Sequence, residues 1–114
     1  MQHNRKNVSK AGLMAPTRMA DLITYQKGSV VSRAIVDRKS GTVTLFAFDK
    51  EEGLSEHKPP FDALIYVVDG EAQVTVAGKS FALKEGEMVV MPANKPHALR
   101  ATRRFKMLLV MIRA

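Results

Sequence analysis

The sequence contains no cysteine. Disulfides, thiolate zinc sites and cysteine nucleophiles are therefore excluded, and nothing points to an oxidising compartment. Tryptophan is also absent, and Phe46, Phe48, Phe61, Phe81 and Phe105 lie in apolar contexts. They read as core rather than as a platform for stacking bases. Residues 1–17, MQHNRKNVSKAGLMAPT, have no apolar signal core, and no later apolar run is long enough to span a membrane. The expectation is a cytoplasmic protein without a membrane partner. Phosphate loops, paired glutamates of glycosidase type and a serine, histidine and carboxylate set around a nucleophile are missing too.

What is present describes an ordinary folded domain. The 114 residues are 46% hydrophobic and 25% charged, enough for one core and not two. An excess of 18 Lys plus Arg over 11 Asp plus Glu gives a net charge of +7, which permits anionic ligands or nucleic acid. The charges are scattered, however, and the densest cluster, Arg100, Arg103, Arg104 and Lys106, reads as a solvated turn and strand edge. With no helix-turn-helix pattern, nucleic acid is not an expected partner.

From about residue 20 the pattern is strand, turn, strand. Val30 to Val36 turns at Lys39-Ser40-Gly41 into Thr42 to Phe48, whose two apolar faces predict burial on both sides. Leu64 to Val68 is closed by Asp69-Gly70, a dipeptide favoured in tight hairpins. Ala72, Val74 and Val76 alternate with polar neighbours up to a turn at Ala77-Gly78-Lys79, and Phe81 and Leu83 continue the alternation. Lys84 to Glu87 forms a further turn, Met88 to Met91 a short buried strand, and Pro92 to Pro96 a loop stiffened by two prolines. Ala98 to Ala101 and Phe105 to Ile112 complete about eight short strands, a sandwich or barrel. Residues 1–17 are expected to be a tail, partly disordered or at an interface, with Thr17 capping a short helix near Arg18. The remainder, 18–114, is one barrel domain.

The stretch HKPPFDALIYVVDGEAQVTVAGKSFALKEGEMVVMPANKPHALRA, residues 57–101, resembles the two signature motifs of the cupin superfamily. Its framework is Tyr66 to Glu71, Gly78, Gly86-Glu87, Met91 to Asn94 and Pro96 to Ala98. The resemblance implies an all-β double-stranded β-helix, or jelly-roll, barrel with a short amino-terminal extension. It also implies a small organic ligand in the barrel mouth and a homodimer, with Leu22 to Tyr25 and Leu108 to Ile112 as interface material. Members with a full metal site carry His-x-His, a glutamate and a later histidine. Here His57 and His97 match the first and last of these, while Pro59 and Ala63 stand where the second histidine and the glutamate would be.

Two readings of the histidines follow. In the first, His57 and His97 hold a divalent ion, iron, manganese, nickel or zinc, and a carboxylate completes the set. Asp62 and Glu56 are the candidates. Both have the wrong strand parity to share a face with the histidines, but Pro59-Pro60 breaks regular pairing just before Asp62, which favours it. In the second, no metal binds, the histidines hydrogen-bond a ligand, and Asp62 fixes its loop. Met88, Met91, Met107 and Met111 read as adaptable apolar wall residues. His3 belongs to no motif.

Overall fold

The computed structural model describes residues 14–113. His3 and most of the amino-terminal tail lie outside the described residues. Eight strands follow a short 3-10 turn at Met19–Leu22: β1 (Val30–Arg38), β2 (Gly41–Phe48), β3 (Gly53–His57), β4 (Asp62–Val76), β5 (Lys79–Lys84), β6 (Met88–Met91), β7 (His97–Arg100) and β8 (Phe105–Ile112). Every pairing between them is antiparallel. The expected all-β jelly roll is the fold observed. No helix among the described residues is long and apolar enough to cross a membrane.

The barrel is organised by β4, which belongs to both of its walls. Its first half pairs with β8 and β6, and its second half with β5 and β7. One wall is thus β1-β2-β8-β4-β6, and the other is β3-β7-β4-β5. The change of wall occurs at a bulge between Val67 and Asp69 and at Gly70, which has φ of +79°. Asp69-Gly70 is therefore a corner inside one strand of 15 residues, not the hairpin turn that the dipeptide suggests. A bulge bends and twists a strand without ending it. A Cβ at position 70 would run into the Arg104 carbonyl of β8's approach and lie 3.0 Å from Phe105 Cα, so close backbone approach as well as positive φ calls for glycine. The true tight hairpin joins β4 to β5, where Ala77 and Gly78 have φ of +49° and +84°, the left-handed pair that suits strand twist.

Side chains pointing between the walls form the main core, including Phe48, Ile65, Val67, Val74, Leu99, Phe105 and Met107. Phe48 and Phe105 are directly paired across β2 and β8, and their rings stack at 4.5 Å. A second, smaller cluster lies on the outer face of the first wall. There Leu22 and Ile23 pack on Leu45 and Ala47, which explains why β2 is apolar on both faces.

The segment around the 3-10 turn is strapped to that outer face by polar contacts. Arg33 of β1 donates to the Leu22 carbonyl at 2.9 Å, and Lys106 of β8 donates to the Ala20 carbonyl at 2.6 Å. Tyr25 donates its hydroxyl to Asp69 at 2.5 Å, and the Arg104 guanidinium lies 4.2 Å from the centre of its ring. Three expectations are corrected here. Thr17 directs its hydroxyl to the Ala15 carbonyl, and the N-cap position of the turn is held by Arg18. Leu22 and Ile23 are buried within the chain and are not free to cover a second copy. Met88–Met91 is not a buried strand: as an edge strand paired only to β4, it leaves Met88 and Val90 about half exposed.

Candidate functional site

Between the walls lies a pocket of about 280 Å³, at the small end of the range for organic ligands. Ala63 and Ile65 of β4, together with Met107, Leu109 and Met111 of β8, contribute one side of its lining. Alternate residues of a strand share a face, so Leu64, Leu108 and Val110 point to the opposite surface. Leu54 and His57 of β3 lie beside their partners Leu99 and His97 of β7 on the other wall, and Met91, Pro59 and Phe61 complete the enclosure.

His57 and His97 are brought together by strand pairing. His57 is the last residue of β3 and the direct partner of His97, the first of β7. Pro59-Pro60 cannot continue β3's ladder, and Pro96 immediately precedes β7. The Pro96 carbonyl accepts the Ala77 N–H at 2.8 Å, which fixes where β7 begins. The two imidazole rings meet edge to face, 4.5 Å between centres. β3 gives no strand signal in the sequence, because its residues are almost all exposed at the sheet edge and show no alternation.

The two rings differ in setting. His57 is exposed, and its Nδ1 lies 3.0 Å from the Ser55 carbonyl. A carbonyl only accepts, so Nδ1 carries the proton and Nε2 of the neutral ring keeps its lone pair. His97 is 4% exposed, and its buried Nδ1 has no hydrogen-bond partner. Burial holds its pKa below the usual 6.5, and His57 beside it acts in the same direction, with the Lys95 backbone opposing both.

The carboxylates lie elsewhere. Asp62 is exposed and accepts the Ala93 N–H at 2.8 Å through Oδ1. It thereby ties the start of β4 to the loop before β7, and the Asn94 N–H bonded to the Pro59 carbonyl at 2.8 Å adds a second tie. Glu56 is exposed on β3, and neither carboxylate lines the pocket. Among the described residues, no three His, Asp or Glu side chains converge as a metal-holding group. A catalytic divalent centre draws on about three such donors, and the residues present do not fit one.

The match to known proteins is consistent with this architecture. The cupin domain model matches residues 44–112. A conserved protein of unknown function from Streptococcus pyogenes superposes with a TM-score of 0.84 at 31% identity, over 88% of each chain. A cupin superfamily protein from Desulfitobacterium hafniense gives 0.84 at 30% identity, covering 88% of this chain and 92% of its own. A cupin 2 conserved barrel domain protein from Leptotrichia buccalis reaches 44% identity with a TM-score of 0.80, over 83% of this chain. The chain spans only 46% of that protein's length. No curated protein matches the sequence.

Proposed function

The chain belongs to the cupin domain family, and from that premise we propose that its barrel binds a small, largely apolar molecule bearing one neutral hydrogen-bonding group. The observation that carries this reading is the composition of the pocket wall: apart from the two imidazoles, every lining side chain is a hydrocarbon or a thioether. An apolar ligand gains from leaving water there, at roughly 25 cal/mol per Å² of buried surface. A charged one would be stripped of water with no counter-charge to meet it. His57 Nε2 accepts a hydrogen bond from a hydroxyl of the ligand, and the lowered pKa of His97 keeps that ring neutral near pH 7. Asp62 serves the site from outside by fixing the loop before β7.

Ligand-observed NMR on metal-free protein tests this reading with monocyclic aromatic and branched aliphatic compounds, with and without a hydroxyl. Hydroxyl-bearing members should bind, and His57→Ala should lessen their advantage over the plain hydrocarbons. Leu54→Trp, which enlarges a half-buried lining residue of the edge strand β3, should abolish binding. Binding that Leu54→Trp leaves untouched, or a preference for charged compounds, would remove the proposal.

A homodimer is the second part of the reading, and an apolar row supports it. On the outer face of the first wall, Val36, Val43, Val110, Leu64 and Val90 are direct neighbours across β1, β2, β8, β4 and β6. Val36 and Val90 are 41% and 49% exposed, and Ile112 beside the row is 60% exposed. The strap covers the other end of this face, so the row is what remains for a second copy. Uncharged itself, it lets two chains of net charge +7 meet without opposing like charges.

A further inference from the structure

We infer that the molecule this barrel prefers is a phenol, a single planar aromatic ring carrying a hydroxyl. This deepens the organic-ligand reading and rests on it. The placement of the methionines is the first support. Met14, Met19 and Met88 are exposed, and the other three methionines among the described residues, Met91, Met107 and Met111, all line this one pocket. The smaller apolar cluster under the strap is built from leucine, isoleucine, valine, alanine and tyrosine, with no methionine. A sulfur-rich wall suits an aromatic guest, because a polarizable thioether makes favourable contacts with a ring, often at its edge, at about 5 Å.

Strand register gives that wall a recess. Ala63 of β4 is directly paired with Met91 of β6 on one side and with Met111 of β8 on the other, and all three line the pocket. Adjacent strands stand about 5 Å apart, so the backbones carrying the two thioethers are roughly 10 Å apart, with only a methyl between them. A ring laid over Ala63 has a thioether-bearing side chain on either flank. Size agrees with one ring. A dry apolar cavity of about 150 Å³ holds benzene, and this pocket of about 280 Å³ takes a single ring with a few further atoms. The hydroxyl finds its acceptor in Nε2 of His57, whose Nδ1 proton goes to the Ser55 carbonyl. A phenol, with a pKa near about 10, is uncharged near neutral pH yet more acidic than an alkyl alcohol. It brings the stronger O–H donor into a wall that has no cation to meet a charge.

The test compares 4-methylphenol with 4-methylcyclohexanol on the full-length metal-free chain, by titration calorimetry and by NMR of protein labelled at the methionine methyls. The two compounds share a carbon skeleton and a hydroxyl and differ in the ring. The phenol should bind about tenfold more tightly, the size of two sulfur–aromatic contacts. Its ring current should shift the Met91 and Met111 methyl signals more than the saturated alcohol does. Met91→Leu and Met111→Leu keep side-chain volume and should each narrow the preference to about threefold, the loss of one such contact. The methyl shifts are read on wild type and stand even if a variant fails to fold. Equal affinities, methyls that respond alike to both compounds, or leucine variants that keep the full preference would each overturn the inference and leave the organic-ligand barrel in place. Binding of neither compound, where other hydroxyl-bearing members of the screen bind, would also overturn the inference alone. A screen without any binder would remove the broader reading with it.

Discussion

His57 and His97 face each other across one strand pair, with ring centres 4.5 Å apart, yet only one of them is in water. The exposed ring is anchored through Nδ1 to its own strand, while the buried ring has a nitrogen with no partner. Burial makes the two settings unequal and penalises a charge on His97.

That inequality sets a pH dependence. The folded-state pKa of His97 lies below the ordinary value of 6.5, so below about pH 6.5 the unfolded chain binds a proton that the native chain resists. The stabilisation is complete above the unfolded value and is lost as pH falls from there through the folded pKa. Urea midpoints measured from pH 7.5 to 5 should fall for wild type, and His97→Gln should flatten the part of the slope that begins near 6.5. Parallel slopes would assign the dependence to other groups.

Gly70 and Gly78 both have positive φ, but only Gly70 is hemmed in by backbone, with nothing within 4 Å of a Cβ at Gly78. Gly78→Ala should therefore cost about 1 kcal/mol, the conformational penalty alone. Gly70→Ala should cost clearly more, about 3 kcal/mol, because the Arg104 and Phe105 backbone must also shift. Urea unfolding of the two variants gives the comparison directly.

Tyr25→Phe removes the 2.5 Å hydrogen bond to Asp69. Burial, reinforced by that bond, drives the Tyr25 pKa well above its ordinary value, so the phenol stays a donor throughout the accessible range. Hydrogen bonds to charged partners contribute about 1.5–3 kcal/mol, and this one is only partly buried, so a loss near the lower figure is expected. Hydrogen exchange should rise at residues 19–25 with little change in the barrel strands.

Val110→Lys places a charge in the middle of the apolar row. Light scattering after size exclusion should give twice 12.6 kDa for wild type and the single mass for the variant. A wild-type monomer, or a variant that remains dimeric, would show that the row is not the contact.

The strands legible in the sequence are those that bury at least one face. Ala72, Val74 and Val76, for example, alternate in the sequence because the barrel interior lies on one side of them. What escaped was set by pairing over long range. β3 has little apolar signal because it is an edge, and Asp69-Gly70 looks like a hairpin because local preference cannot distinguish a turn from a corner. The meeting of His57 with His97 was implied by family resemblance, not by spacing.

The continuity of β4 through Gly70 bears on how the molecule comes apart. Because one strand supplies ladder partners to both walls, neither wall can open without pulling on the other. The two halves are one cooperative unit, and the barrel should melt in a single transition with no half-open intermediate. Much of that cooperativity forms late in folding, since the first half of β4 waits for β8, four strands further along the chain.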